Sequence, residues 1–131
     1  MAKRDKKEKD RDRASTGDRR RDATGDNGQA RPAGGMKELI AGLNEDLSWE
    51  FNAVITYRLF ASMCSGPWRQ ELRQFFESEI PDEMGHAMFL ADKIVALGGI
   101  PTTQVPPVEI ASDNRQMLEN ALQAEIDTIA R

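Results

Sequence analysis

The stretch from residue 72 to residue 97, LRQFFESEIPDEMGHAMFLADKIVAL, decides the fold of this chain. Its apolar residues recur at steps of three or four, which is the spacing of one face of an α-helix. Three consecutive positions in the middle of that face carry potential metal ligands, and a carboxylate does not lie in a helix core without a partner. The face consists of Leu72, Phe76, Glu79, Glu83, His86, Leu90, Ile94 and Leu97.

Two other segments of helical pattern also carry a carboxylate on an otherwise apolar face. The pattern from residue 43 to residue 61 contains Glu50, and the pattern from residue 118 to residue 129 contains Glu125. Each predicted helix therefore directs at least one carboxylate toward a common interior, and a bound metal ion would supply the compensating charge. The two faces comprise Leu43, Leu47, Glu50, Val54, Tyr57 and Ala61 in the first segment, and Leu118, Leu122, Glu125 and Ile129 in the last.

Glycine and proline residues mark the boundaries of the predicted helices. The first helix spans residues 36–63, and a tight turn follows in which Pro67 suits the first position of the second helix. The second helix spans residues 67–97 and ends at a glycine pair, and Pro81 inside it is expected to bend it locally. These two segments predict an antiparallel hairpin of long helices.

A proline-rich segment separates the second helix from the third. It favours extended backbone, and roughly fourteen residues at about 3.3 Å each span about 45 Å, the length of the second helix. The third helix is therefore expected to start at the opposite end, with Ser112 or Asp113 as its N-cap, and to run parallel to the second. We predict an all-α domain over residues 36–131, an up-down-down-up four-helix bundle truncated after the start of its third helix or completed by another chain.

The first 35 residues differ in composition from the rest. They hold eleven Lys/Arg, seven Asp/Glu, no aromatic residue and no Leu, Ile or Val, so residues 1–35 are predicted to be a disordered charged tail. The remaining residues carry seven Lys/Arg against fifteen Asp/Glu and form an acidic body. Neither a long apolar stretch nor a signal-peptide core is present, so we expect a cytoplasmic protein without a membrane partner. Its single cysteine, Cys64, is interpreted as a small structural residue.

The spacing of Glu83 and His86 indicates a metal site. Three residues apart on a helix, the carboxylate and the imidazole are neighbours on one face, separated by about 4.5 Å along the axis. Oxygen and nitrogen donors without thiolates suit iron or manganese rather than structural zinc. Glu50 and Glu125 on facing helices would add oxygen ligands. The alternative is a set of hydrogen-bonded core pairs in a helical bundle that binds no metal.

These segments resemble the ferritin-like superfamily, and most closely its bacterioferritin branch. The resemblance covers residues 36–131. It rests on Leu43-Asn44-Glu45-Asp46-Leu47-Ser48-Trp49-Glu50 with Tyr57 seven residues later, on Asp82-Glu83-Met84-Gly85-His86-Ala87, on Leu97-Gly98-Gly99-Ile100-Pro101, and on Glu125.

The resemblance implies a dinuclear iron centre that oxidises Fe(II) with dioxygen or peroxide and passes Fe(III) to a mineral inside an oligomeric protein cage. It makes Glu50 a terminal ligand, Glu83 a bridging ligand, His86 a ligand of one iron and Glu125 a ligand of the other. The family's second Glu-x-x-His pair is absent, because the chain has one histidine. Ferroxidase activity would therefore require a partner chain or a longer chain to complete the site.

Two residues and the tail carry further expectations. Tyr57 is either an electron donor beside the iron pair or a core aromatic bonded to a carboxylate. Met84 matches the methionine that binds haem between two subunits in bacterioferritins, although methionine on a helix flank more often packs. The Lys/Arg-rich tail resembles those of DNA-protecting mini-ferritins, which contact phosphates, so a DNA-binding protective protein is an alternative function.

Overall fold

The computed structural model describes residues 33–131, which form three α-helices. Helix α1 spans Gly34–Met63, α2 spans Arg69–Ala96 and α3 spans Asn114–Ala130. No strand occurs between residues 33 and 131, which confirms the predicted all-α class. Residues 1–32, with most of the predicted tail, lie outside the described residues. None of the described helices is long and apolar enough to cross a membrane.

Helices α1 and α2 form the predicted antiparallel hairpin. Gly66 in the turn has a φ of 74°, a conformation that glycine adopts without steric cost. The second helix begins two residues later than predicted, because Pro67 lies in the turn and Trp68 is the N-cap. Helix α2 continues through Pro81 without interruption, and the expected local bend stays a prediction.

Two clusters of buried side chains hold the hairpin together. One lies toward the end where the chain leaves α2 and contains Leu47, Ala87 and Ile94. The other lies toward the turn, and its aromatic residues include Phe60 and Phe76, whose ring centroids are 5.5 Å apart in an edge-on arrangement. Between the two clusters the helix faces carry the polar residues of the predicted site.

The crossover returns along α1 and is fixed there by asparagine side chains. Near its start, the Asn44 amide donates to the Ile100 carbonyl at 3.1 Å. Halfway along, the Asn52 amide donates to the Pro106 carbonyl at 2.9 Å. At the far end, the Asn114 amide donates to the Ser65 carbonyl at 2.8 Å. The crossover therefore runs from one end of α1 to the other, and α3 lies parallel to α2 as predicted.

Helix α3 begins as predicted but presents a different face to the core. Asp113 is the N-cap, and its carboxylate accepts a hydrogen bond from the Gln116 backbone amide. The buried residues are Met117 and Ala121, which pack with Tyr57 and Phe60.

The predicted apolar face of α3 is largely uncovered in the single chain. Leu118, Leu122 and Ile129 are exposed, Ile129 to 86 %. Helix α3 packs mainly against α1 among the described residues, so only a narrow stripe of its surface is covered. The small Ala121 and the flexible Met117 allow close packing on that stripe, whereas Leu118, Leu122 and Ile129 remain exposed in the single chain.

Cys64 follows α1 and is buried in the core. Its thiol donates to the Phe60 carbonyl at 3.2 Å, and burial raises the pKa of the thiol. A buried, protonated thiol has little reactivity. This environment supports the interpretation of Cys64 as a small structural residue.

Candidate metal centre

Three of the four predicted metal ligands meet on the facing surfaces of α1 and α2. Glu50, Glu83 and His86 each offer one ligand atom, and these atoms all lie within 4.8 Å of one another. The Nδ1 atom of His86 is 3.3 Å from a Glu83 carboxylate oxygen and 3.4 Å from a Glu50 carboxylate oxygen. We call these three residues the ligand cluster.

The ligand cluster is buried on one side and open on the other. Glu83 is 8 % exposed and is the buried charged residue of the described core. The Glu50 side chain is 15 % exposed, whereas the His86 side chain is 62 % exposed. An ion bound here would therefore be held by carboxylates on its inner side, and the imidazole would lie toward the opening.

The proximity of two carboxyl groups perturbs the proton equilibria of the ligand cluster. Burial, together with hydrogen bonding and charge repulsion from Glu50, raises the pKa of Glu83 to about 7. Burial lowers the pKa of His86, but hydrogen bonding to Glu83 and the negative charges of Glu50 and Glu83 outweigh it, so the net shift is upward. The cluster holds a proton where a metal ion would supply positive charge instead.

Glu125 lies near the ligand cluster but is not part of it. Its carboxylate accepts a hydrogen bond from the Tyr57 hydroxyl at 3.0 Å. Burial raises the pKa of Tyr57, and the hydrogen bond to Glu125 adds to the shift, so the phenol remains protonated. This contact is the hydrogen-bonded arrangement weighed for Tyr57 from the sequence, and the role of Glu125 as a ligand stays a prediction.

A cavity of about 350 Å³ joins the two groups. The ligand cluster, Tyr57 and Glu125 all line it, so the structure brings every predicted iron ligand to one space. Glu79 and Met84 do not line this cavity. Met84 is 47 % exposed on α2, and haem binding through its sulfur stays a prediction.

The sequence pattern did not indicate several residues of the cavity wall. Asn52, Glu109 and Asp127 line the cavity together with Trp49 and Arg131. Glu109 lies on the crossover, where no helical period assigns a direction to a side chain. Trp49, Asp127 and Arg131 fall between the apolar positions of their helices, so the spacing that identifies Glu50 and Glu83 does not identify them.

Comparison with known proteins assigns the family. The family model described as a ferritin-like domain matches residues 40–131. The chain belongs to the ferritin-like family. A bacterioferritin from Streptomyces coelicolor is 32 % identical over 98 residues, which cover 74 % of this chain and 59 % of that protein. Bacterioferritin BfrA from Mycobacterium tuberculosis is also 32 % identical over 98 residues and is covered to 62 %. The chain thus spans about three fifths of the length of these relatives.

Two solved structures of the family are similar to this chain. A ferritin-like, diiron-carboxylate protein from Bacillus anthracis is 54 % identical, with a TM-score of 0.74 over 76 % of this chain and 71 % of that one. A dodecameric thioferritin, the bacterioferritin-related protein of Bacteroides fragilis, is 28 % identical, with a TM-score of 0.63 over 70 % of this chain and 60 % of that one. Both likenesses agree with the three-helix arrangement described above.

Proposed function

We propose that this chain binds Fe(II) at the ligand cluster and takes part in its oxidation to Fe(III), for the storage or detoxification of iron. One observation carries the proposal: two carboxylates and one imidazole from two helices offer ligand atoms within 4.8 Å of one another. Membership of the ferritin-like family and the similarity to a diiron-carboxylate protein support iron as the metal.

The donor set fits iron by chemistry and by charge. Carboxylate oxygen and imidazole nitrogen are suitable ligands of Fe(II), and no thiolate belongs to the cluster. Burial beside Glu50 raises the pKa of Glu83, and a bound cation would favour its charged form. Bound iron would supply one-electron redox chemistry, in which each Fe(II) gives one electron to dioxygen or peroxide.

Each residue of the ligand cluster would have a separate role in binding iron. Glu83, buried at the base of the cluster, would give up its proton and hold the ion on the inner side. Glu50 would hold it from α1, and His86 would close the coordination at the solvent side. Because the ion would displace the proton that Glu83 and His86 hold, metal affinity should rise with pH.

A dinuclear centre requires ligands beyond the ligand cluster. Glu125 lines the same cavity, and we propose that it serves the second iron after exchanging its hydrogen bond with Tyr57. The remaining ligands would come from a partner chain or from a further segment of the protein. Tyr57 would then hold its proton beside the second iron and would be placed to donate an electron.

We also propose a homo-oligomer, in keeping with a cage that stores iron. Large apolar side chains on α2 and α3 are exposed to solvent in the single chain, and such surface usually marks an interface. They include Trp68, Met88, Phe89, Leu122 and Ile126. The dodecameric relative from Bacteroides fragilis supports assembly.

The direct test is iron content per chain together with assembly mass. Purified protein is loaded with Fe(II), analysed for metal, weighed by light scattering and followed for Fe(III) formation in air. We expect about one or two irons per chain in a large assembly. Glu83→Ala and His86→Ala should lose bound iron and slow oxidation, whereas the control Asp92→Ala, an exposed carboxylate on α2, should behave as the wild type.

The competing possibility is a bundle in which the cluster forms hydrogen-bonded pairs only. It predicts no stoichiometric iron in the wild type and the same rate of Fe(III) formation in the Glu83 and His86 variants. Either result would contradict the proposed function.

A further inference from the structure

Arg131 contacts three side chains beside the ligand cluster. Its guanidinium lies 5.3 Å from the centre of the Trp49 ring. One nitrogen is 3.7 Å from an Asp46 carboxylate oxygen, and another donates to the Thr128 hydroxyl at 3.0 Å. The Arg131 side chain is 29 % exposed.

The neighbours of Arg131 place its charge close to the metal ligands. Trp49 precedes Glu50 in the chain, and Asp46 lies one helical turn before Glu50 on α1. Arg131 lines the cavity that contains the ligand cluster, and it also lines a second cavity together with Glu50 and His86. Among the described residues, no lysine and no other arginine lines either space. Arg131 is therefore the permanent positive charge of an otherwise acidic wall.

We propose that the positive charge of Arg131 lowers the affinity of the ligand cluster for divalent metal ions. The inference rests on the proposed metal site and adds a residue that sets its affinity. Arg131 does not touch the ligand atoms, so it acts through its charge.

The sign of the effect follows from electrostatics. A guanidinium repels an incoming divalent cation and stabilises the carboxylates of the metal-free cluster, and both effects weaken metal binding. The cluster opens to solvent at His86, so the repulsion is partly screened. Removing the charge should therefore tighten metal binding by a factor on the order of three to ten.

Three substitutions separate charge from packing. Arg131→Gln and Arg131→Met remove the charge, and the methionine side chain keeps an apolar stem on the Trp49 ring. Arg131→Lys keeps the charge but loses the planar contact with the ring. If charge is the cause, glutamine and methionine should both tighten binding, whereas lysine should stay within about twofold of the wild type.

The experiment is calorimetric titration of the metal-free full chain with Zn(II), a redox-inactive ion that accepts the same donors. Thermal unfolding of each variant confirms that it is folded, and Arg131→Met serves if Arg131→Gln unfolds.

The outcomes distinguish this inference from the proposed function. Failure of the wild type to bind Zn(II) or Fe(II) would overturn the metal site itself. Normal binding by the wild type with unchanged or weaker binding by the glutamine and methionine variants would overturn the role of Arg131 alone. Equal tightening by lysine and glutamine would also overturn it, because lysine retains the charge.

Discussion

Replacing Glu83 by glutamine should stabilise the metal-free protein while it abolishes metal binding. Glu83 is buried beside Glu50, and its pKa is raised from 4.5 to about 7. Glutamine has nearly the same shape and carries no charge. The substitution therefore removes the cost of ionising a buried carboxyl group and leaves the packing of α1 against α2 almost unchanged.

The size and pH dependence of this gain follow from the shift in pKa. Between the unfolded pKa of 4.5 and the folded pKa of about 7, the folded chain keeps a proton that the unfolded chain releases. The stability contributed by this group is thus complete below pH 4.5 and is lost as pH rises through about 7. The full shift corresponds to about 3 kcal/mol. Because the cluster is open to water at His86, we expect a gain of about 2 kcal/mol for the variant at pH 8.

The assay is urea unfolding of the wild type and Glu83→Gln with EDTA, at pH 8 and at pH 5. A gain of about 2 kcal/mol corresponds to a rise in the urea midpoint of roughly 0.7 to 2 M for a small domain. At pH 5 the gain should fall below about 0.7 kcal/mol, because Glu83 is then protonated in the folded chain and the pH is only about half a unit above its pKa in the unfolded chain. Asp92→Asn is the control, since it makes the same change of charge at an exposed position of α2. A gain that is absent at pH 8, or is equally large at pH 5, would refute the reasoning.

Three further substitutions test the fold around the site. Gly99→Ala should cost about 1 to 3 kcal/mol in thermal unfolding, because the new Cβ would lie 2.7 Å from the Ile40 side chain; an unchanged Tm would contradict this. Asn52→Ala should cost about 1 to 2 kcal/mol and speed proteolysis within the crossover, since crossover carbonyl groups lose their donor; equal cleavage rates would argue against it. Tyr57→Phe should cost about 1 kcal/mol and release Glu125, with urea unfolding as the measurement and a stability equal to that of the wild type as the contrary result.

The sequence was sufficient to locate the ligand cluster because the cluster lies within one hairpin. Glu83 and His86 share a helix, so helical geometry alone makes them neighbours. Glu50 reaches them because the tight turn after α1 leaves the two helices little freedom in direction and register. The expected parallel course of α3 was also confirmed, since the reach of an extended crossover is set by its length.

The rotation of α3 about its own axis could not be predicted in the same way. Met117 and Leu118 are adjacent and both apolar, and only the neighbouring surfaces decide which of them is buried. Without knowledge of those surfaces, the longer leucine and isoleucine series looked like the core face. The position of Arg131 depends on that same rotation, so its contact with Trp49 could not be predicted from the sequence either.

Asn114 anchors the start of α3 to the turn after α1, so a tilt of α3 about this contact moves its far end most. Asn114, in the first turn of α3, donates a hydrogen bond to the Ser65 carbonyl and accepts one from the Ser65 amide. Arg131 lies at the other end of the helix, about 25 Å away at 1.5 Å per residue. A tilt of about 5° around the Ser65 contact would therefore displace Arg131 by about 2 Å. A small change in structure at the turn between α1 and α2 would thus produce a larger displacement at the mouth of the cavity, at the opposite end of α3.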